Sequence, residues 1–142
     1  MPGVNLRKAG LMTGLDTGFF VELMNGNEDA IGLWKAGMTD EMELVVSSLT
    51  LFEIERLGFK GKLQQTDVVL EAINAVTLVV WLDGEILSLA ARLSHGLGIP
   101  SVDSLILASL LSRDVSEIYT TDAHLQAYHS HKIVVRNLRK SG

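Results

Sequence analysis

The amino-acid sequence predicts an α/β protein with a three-layer α/β/α architecture built on a five-stranded parallel sheet. Two observations lead to this prediction. Short apolar segments alternate with amphipathic ones along the chain, and the short segments are continuously apolar and often β-branched, as is typical of strands buried on both faces. Because neighbouring parallel strands must be joined by crossovers, this alternation predicts helices on both faces of the sheet and right-handed connections.

The first strand and the first two helices follow from apolar periodicity and stop signals. Residues 11–15 form a short apolar strand, and residues 17–24 place aromatic and aliphatic side chains on one helical face. An Asn-Gly-Asn turn ends this helix. Asn27 can then cap a second helix, which runs to Ala36 and ends at Gly37.

The middle of the chain supplies two further strands with helices between them. Residues 44–47 are a continuous apolar strand of the buried parallel type, and Ser48 or Thr50 is expected to cap the helix that follows. Residues 64–75 have the spacing of an amphipathic helix, and residues 76–81, which are apolar and rich in β-branched side chains, predict the third strand.

The last part of the chain repeats the same alternation. Asp83 is expected to cap an alanine- and leucine-rich helix, and Ser101 to cap the next one, just after a proline. Residues 118–120 predict the fourth strand, Asp122 opens a short helix, and residues 133–135 predict the fifth strand.

Length and composition limit the kind of protein. The 142 residues suffice for one domain, and residues 1–10 lack apolar periodicity, so we expect an N-terminal extension before a single domain of residues 11–142. Hydrophobic residues make up 47% of the chain and charged residues 20%, which indicates a globular protein rather than a disordered one. The net charge of −5 argues against nucleic-acid binding through bulk charge, but not against an enzyme with an acidic site and a basic rim.

The cysteine content and the hydropathy of the chain are used to predict its cellular compartment. The chain contains no cysteine, which excludes disulfides and thiolate metal sites. It also lacks an apolar run long enough to span a bilayer and a signal-peptide segment at its start. These features predict a cytoplasmic protein without a membrane span.

Four carboxylates occur where a predicted strand gives way to a helix, or within the first turns of that helix. They are Asp16, Glu53, Asp103 and Asp122. In an open α/β sheet, ligands bind outside the carboxyl ends of the strands. Several acids that converge there need a cation, because like charges a few Å apart cannot all remain ionised. The pattern therefore predicts a Mg²⁺ or Mn²⁺ site and points to phosphodiester chemistry, with Thr120 placed to position a water or an aspartate.

Each of these acids also has a simpler interpretation. Asp16 and Asp122 could be helix N-caps, Asp103 could interact with a helix dipole, and Glu53 could form a capping box with Thr50 or face solvent. Four such residues in succession at strand ends are much harder to explain as caps alone.

Two other classes of site compete with a metal-dependent nuclease. A signalling receiver domain also carries an acidic Mg²⁺ pocket, but it needs paired acids after the first strand and a lysine after the fifth, whereas Asp16 stands alone. The second alternative is a non-catalytic module of the same fold that binds metal or RNA, and the sequence is compatible with it. The triplet Asp16-Thr17-Gly18 matches the active-site motif of aspartic proteases, but that family is all-β, so we reject this interpretation.

Basic and aromatic residues provide weaker signals. Arg56, Lys60 and Lys62 lie close together in the sequence, and Arg136 belongs to a basic C-terminal segment, so all four are candidates for phosphate contacts. A solvated surface is the alternative for each of them. The histidines have no metal-ligand spacing and are interpreted as surface or capping residues. Trp34 and Trp81 are expected in the core. The basic C-terminal segment also contains Lys132, Arg139 and Lys140, and the four histidines are His95, His124, His129 and His131.

From Leu11 to Leu138 the chain resembles the PIN domain family of metal-dependent nucleases. The resemblance is carried by Leu15-Asp16-Thr17 after the first strand, the Ser-x-x-Thr-x-x-Glu segment at Ser47–Glu53, the helix start Ser101–Ala108 and Thr120-Thr121-Asp122. The aromatic residue often found shortly after the last aspartate is replaced here by leucine, at position 125.

This resemblance implies a fold and a function. The strand order would be 3-2-1-4-5, the cofactor Mg²⁺ or Mn²⁺, and the activity that of an endoribonuclease acting on an RNA substrate. Many small members of the family are toxins of toxin–antitoxin pairs and others process RNA, so an antitoxin protein and a homodimer are implied as possible partners.

Overall fold

A computed structural model describes residues 12–126, 128 and 133–138. Five parallel strands form one sheet in the order β3-β2-β1-β4-β5. The strands are β1 Met12–Leu15, β2 Glu43–Ser47, β3 Leu78–Val80, β4 Glu117–Thr120 and β5 Val134–Asn137. The helices are α1 Thr17–Met24, α2 Glu28–Met38, α3 Ser48–Phe59, α4 Thr66–Val76, α5 Gly84–Leu97, α6 Ser101–Leu111 and α7 Ala123–Gln126.

The strand order confirms the prediction and excludes one alternative. Receiver domains of the flavodoxin-like type have the order 2-1-3-4-5, in which the first strand lies between the second and the third. Here β1 lies between β2 and β4, and β3 is at the edge of the sheet. The receiver-like interpretation is therefore excluded by topology.

Two hydrophobic cores cover the two faces of the sheet. Within β2, Val45 packs into one core, whereas Leu44 and Val46 pack into the other, as the alternation of side chains along a strand requires. The first core includes buried residues of α5 and α6, and the second includes buried residues of α1, α2 and α4. Both faces are thus apolar, which explains the continuous apolar strands of the sequence.

Close helix–strand packing depends on Gly37 in α2. A β-carbon added at this position would overlap the Leu44 side chain of β2. Leu44 is fully buried, so it has little room to move away. We expect Gly37→Ala to lower the free energy of unfolding by about 1–3 kcal/mol through overpacking. Urea denaturation can measure this, with Gly32→Ala as the control, because a β-carbon at Gly32 would meet no atom within 4 Å. Equal stability of the two variants would contradict the prediction.

Two predicted helix caps were wrong. Helix α3 is capped by Ser47, whose hydroxyl accepts a hydrogen bond from the backbone N–H of Leu49 at 3.2 Å, and not by Ser48 or Thr50. Strand β2 therefore continues directly into α3. Helix α6 has Pro100 at its N-cap position without a side-chain cap, so Ser101 is already helical. The caps predicted at Asn27 and Asp83 are confirmed.

The third strand is shorter than predicted. It covers Leu78–Val80, while Val76 belongs to α4. Trp81 lies beyond the strand and is 67% exposed, so its predicted place in the core was wrong. The strand boundary was misplaced because an apolar run alone does not distinguish the end of a helix from a strand. Strand β3 is also an edge strand, since it pairs only with β2. Trp34 does pack against the second core and stacks edge-to-face on Phe20 at 5.8 Å.

Some predictions fall outside the described residues. They concern the N-terminal extension with the first residue of the predicted first strand, and side chains near the C-terminus: residues 1–11, His129, His131, Lys132, Arg139 and Lys140. Within the described ranges, none of the helices has the length and apolar character needed to cross a bilayer.

Candidate metal centre

The four predicted carboxylates lie around one small cavity at the carboxyl end of the central strands. We call Asp16, Glu53, Asp103 and Asp122 the acidic cluster. All four line a cavity of about 90 Å³, to which Leu125 adds an apolar wall. Their positions on four elements explain the convergence: Asp16 follows β1, Asp122 follows β4, and the other two lie near the starts of α3 and α6.

Asp16 is the most deeply buried member of the acidic cluster, at 4% exposure. Its carboxylate caps α1 by accepting a hydrogen bond from the backbone N–H of Phe19 at 3.1 Å. Burial raises the pKa of Asp16 to about 7, against the opposing effect of hydrogen bonds from Thr120 and Phe19, while Asp122 and Glu53 add a smaller increase. Asp16 therefore caps α1, and it is also a buried carboxyl group whose ionised form a cation would stabilise.

Glu53 is oriented by a residue from another element. The hydroxyl of Thr17, at the start of α1, donates a short hydrogen bond to its carboxylate. The hydroxyl oxygens of Thr17 and the buried Thr50 lie 3.2 Å apart. The capping-box alternative does not hold, since α3 is capped elsewhere and the Glu53 carboxylate is hydrogen-bonded to Thr17. The threonine of the Asp-Thr motif thus holds the glutamate at the cavity.

Thr120 connects the two aspartates that follow strands β1 and β4. Its hydroxyl donates a short hydrogen bond to Asp16 and accepts one from the backbone N–H of Asp122 at 2.8 Å. Thr120 is fully buried, so water does not compete for these contacts. One side chain therefore sets the spacing between Asp16 and the loop that carries Asp122.

Asp103 is the second member of the acidic cluster whose pKa is raised. Its pKa is raised to about 6, first by burial, then by the nearby Asp122, with a smaller contribution from Glu53 and an opposing effect of His124. Asp103 lies in the first turn of α6, where no side-chain cap is present. Two of the four acids thus have raised pKa values, as expected of carboxyl groups gathered in a small and partly buried cavity.

Gly18 lets the loop after β4 approach the start of α1. A β-carbon at Gly18 would overlap the hydroxyl of Thr121 and would lie 3.4 Å from Oδ1 of Asp16. Because Thr121 directly precedes Asp122, a movement of the loop that relieved this overlap would also displace a carboxylate of the acidic cluster. This close approach gives the glycine of the Asp-Thr-Gly triplet a role in the geometry of the cavity.

His124 was not predicted as part of the site. Its Nδ1 lies 3.1 Å from Oδ1 of Asp122 and 3.6 Å from Oδ2 of Asp103. Among the described residues, these three side chains form a group whose potential ligand atoms all lie within 4.8 Å of one another. Two of the three side chains follow β4, and the third comes from α6, so the spacing of residues in the sequence could not reveal the group.

The donor set fits a hard divalent cation. Carboxylate oxygens are the ligands that Mg²⁺ and Mn²⁺ prefer, and Mg²⁺ needs only a few of them beside water and substrate phosphate. Burial is the main cause of the raised pKa values of Asp16 and Asp103, and repulsion from Asp122 and Glu53 raises both further, so negative charges face one another across the cavity. The acidic cluster therefore has both the oxygen donors and the electrostatic need for such an ion.

The basic candidates fall into two groups. Arg56 and Lys60 follow Glu53 at helical spacings of three and seven residues, so they extend along the same side of α3 away from the cavity. Both are exposed, as is Lys62 in the turn after the helix. Arg136 instead forms an ion pair of 2.8 Å with Glu117 at the amino end of β4, the end opposite to the acidic cluster. Its charge is thus already paired.

Comparisons with known proteins place this geometry in a family. The profile of the PIN domain matches residues 15–129. No curated protein matches the sequence. A solved structure of VapBC-1 from nontypeable Haemophilus influenzae is similar, with 18% identity, a TM-score of 0.68 and coverage of 90% of this chain and 98% of that one.

Two further solved structures have the same fold. DNA-bound VapBC from Salmonella typhimurium is 17% identical, with a TM-score of 0.68 and coverage of 90% of this chain and 98% of that one. Mycobacterium tuberculosis VapC20, a toxin that cleaves the sarcin-ricin loop, is 19% identical, with a TM-score of 0.58 and coverage of 81% and 93%. Because the family profile spans most of the chain and all four carboxylates of the acidic cluster, the protein belongs to the PIN domain family.

Proposed function

We propose that this protein is a Mg²⁺- or Mn²⁺-dependent endoribonuclease that hydrolyses phosphodiester bonds of RNA. The observation that carries the proposal is the convergence of Asp16, Glu53, Asp103 and Asp122, from four elements, on one cavity. Membership of the PIN domain family supports nuclease chemistry. The similarity of fold to VapC20, which cleaves the sarcin-ricin loop, supports RNA as the substrate.

The chain's own residues account for the organisation of the reaction. Asp16, Asp103 and Asp122 would hold the ion, and Glu53 would complete the site directly or through water. When bound, the ion supplies Lewis acidity, which activates a water molecule and offsets the charge of the phosphate. Thr120 keeps two of the aspartates in register through its hydroxyl. Thr17 does the same for Glu53. These contacts organise the carboxylates before any ligand arrives, so little reorganisation is needed on binding.

A cleavage assay tests the proposal against the non-catalytic alternative. Labelled single-stranded RNA, structured RNA and duplex DNA are each incubated with the purified protein and Mn²⁺, with and without EDTA. We expect Mn²⁺-dependent cleavage of RNA in preference to duplex DNA. Binding of metal or RNA without cleavage of any substrate would instead favour a binding module of the same fold.

The geometry around Gly18 gives a second test of the same site. We expect Gly18→Ala to slow RNA cleavage at least tenfold, because the overlap with Thr121 displaces the loop that carries Asp122. The matched control is Gly26→Ala, in the turn after α1, where an added β-carbon meets no atom within 4 Å. Because Gly26 has a φ of +85°, this control tests general loss of stability at a glycine close to the same helix. A Gly18→Ala variant as active as the wild type would show that the loop adapts without cost.

Exposed basic residues on α3 are proposed to bind the RNA backbone. Arg56, Lys60 and Lys62 extend from the cavity, and with a net charge of −5 the protein has little long-range attraction for RNA. We expect Arg56→Ala combined with Lys60→Ala to reduce the magnitude of the slope of log affinity against log salt by about 1.4, since each phosphate contact with a single strand contributes about 0.7. Fluorescence anisotropy with labelled single-stranded RNA measures this slope, in a cleavage-deficient Asp103→Asn background.

A control separates local contacts from bulk charge. Arg113 is exposed and follows α6 at the end opposite to Asp103, so Arg113→Ala changes the net charge without touching the rim of the cavity. We expect it to leave the slope unchanged. Arg136→Ala should have a small effect, because that guanidinium is paired with Glu117. Equal slopes for all variants would indicate that the cations of α3 face solvent or a protein partner.

We further propose that the protein is the toxin of a toxin–antitoxin pair, acts in the cytoplasm and forms a homodimer. Similar solved structures of VapBC, from Haemophilus influenzae and Salmonella typhimurium, support the first part. Two large apolar side chains are strongly exposed and are proposed as parts of a subunit interface: Phe59 is 90% exposed and Trp81 67%. Co-expression with the product of an adjacent small reading frame should yield a stable complex that suppresses cleavage. Light scattering of the protein alone measures its oligomeric state.

A further inference from the structure

We propose that His124 is a nitrogen ligand of the divalent cation held by Asp103 and Asp122, and that it makes this site select Mn²⁺ over Mg²⁺. The inference deepens the proposed function, since it concerns the metal preference of the same site. It adds a residue outside the four carboxylates, with a type of donor atom that they do not provide.

The position of the imidazole carries the proposal. Ligands at right angles around an ion, each at about 2.1 Å, lie about 3 Å from one another. The Nδ1 atom of His124 is 3.1 Å from Oδ1 of Asp122 and 3.6 Å from Oδ2 of Asp103. These separations suit neighbouring ligands of a common ion. They require no large movement of the helix that carries the histidine.

The backbone holds His124 in this place. Its own N–H donates a hydrogen bond of 2.7 Å to Oδ1 of Asp122, the oxygen that its ring also approaches. Asp122 is in turn tied to Thr120 through its backbone N–H. The side chain of His124 is 58% exposed, so an ion from solvent can reach the ring. The histidine is therefore positioned by the same contacts as the carboxylates.

The nitrogen donor of His124 affects the binding of Mg²⁺ and of Mn²⁺ differently. Mg²⁺ strongly prefers oxygen ligands and keeps several waters, so it gains little from an imidazole. Imidazole is a better donor for transition metals, and affinities for nitrogen-containing sites rise from Mn²⁺ along the first row. The described carboxylates alone would bind both ions. The addition of His124 should strengthen Mn²⁺ binding selectively.

A simpler role of His124 makes the opposite prediction. If the imidazole only pairs with Asp103 and Asp122 as a neighbouring cationic or hydrogen-bonding group, it competes with an incoming ion. Its removal would then leave the affinities for Mn²⁺ and Mg²⁺ unchanged, or raise both. The ratio of the two affinities therefore distinguishes a ligand from a competitor.

The experiment is a calorimetric titration of Mn²⁺ and of Mg²⁺ into the full chain, at a pH above the ordinary pKa of histidine. We expect His124→Ala to weaken Mn²⁺ binding at least about tenfold while Mg²⁺ binding changes less than about twofold. The matched control is His95→Ala, which removes an exposed histidine near the end of α5. Circular dichroism verifies that each variant is folded.

A spectroscopic measurement tests the bond itself. Pulsed electron paramagnetic resonance of bound Mn²⁺ should show coupling to a ¹⁴N nucleus in the wild type and in His95→Ala, and none in His124→Ala. An unchanged ratio of affinities, or a wild-type spectrum without nitrogen coupling, would overturn the inference while leaving the carboxylate site intact. A wild-type protein that binds neither ion would overturn both this inference and the metal dependence of the proposed function.

Discussion

Asp103→Asn is expected to abolish Mn²⁺-dependent RNA cleavage without altering the fold. The substitution removes one negative charge and one metal-binding oxygen from the acidic cluster, at a side chain whose pKa is already raised to about 6 by burial and by Asp122. Loss of residues that merely orient a metal ligand costs 10–100-fold, so loss of a ligand should cost at least about 100-fold. Initial rates of cleavage of labelled RNA measure the effect, and circular dichroism checks the fold.

A matched control distinguishes the metal interpretation of Asp103 from a helix-dipole interaction. Asp67 occupies the first turn of α4, as Asp103 occupies the first turn of α6, but it is exposed and does not line the cavity. Asp67→Asn removes the same favourable dipole interaction and should leave cleavage unchanged. If Asp103→Asn still cleaved RNA at the wild-type rate, the activity would come from another site or from a contaminating nuclease.

Asp16→Asn should make the metal-free protein more stable at neutral pH while it weakens Mn²⁺ binding. The pKa of Asp16 is raised from 3.8 in the reference state to about 7, chiefly by burial. The folded protein therefore binds a proton more strongly than the unfolded chain, and stability falls as the pH rises between about 4 and 7. A shift of about three pKa units corresponds to at most about 4 kcal/mol above this window, and a neutral asparagine does not carry that cost.

Urea denaturation in EDTA, at pH 5 and pH 8, measures this effect. The wild type should lose stability over the interval, and Asp16→Asn should lose much less. Addition of Mn²⁺ should stabilise the wild type by mass action and have little effect on the variant. If Mn²⁺ stabilised the wild type and Asp16→Asn equally, Asp16 would not belong to the metal centre.

Asp83 provides the control for this second prediction. It caps α5 by accepting a hydrogen bond from the backbone N–H of Ile86 at 2.9 Å, as Asp16 caps α1 through Phe19. Unlike Asp16, Asp83 is exposed and does not line the acidic cavity. Asp83→Asn should change neither Mn²⁺ binding nor the pH dependence of stability. Any difference between the two variants then reports on the cavity and not on helix capping.

The sequence was most informative where the physics is local. Alternating apolar segments predicted the strands and helices, and side chains that bond to their own helix predicted the caps at Asn27 and Asp83. The four carboxylates could be recognised in advance because each follows a strand or opens a helix. The strand order came from the resemblance to a family, since pairing between distant strands leaves no mark in local periodicity.

Only the tertiary structure reveals the contacts between side chains that lie far apart in the sequence. Glu53 is oriented by Thr17, 36 residues earlier, and not by the local capping box with Thr50 that was the simpler alternative. Asp16 is bound to Thr120 across 104 residues, and its raised pKa follows from burial that only the assembled sheet provides. His124 meets Asp103 because α6 and the loop after β4 converge at the cavity. Sequence spacing encodes which faces are apolar, whereas the chemistry of this site depends on distances between side chains that folding alone brings together.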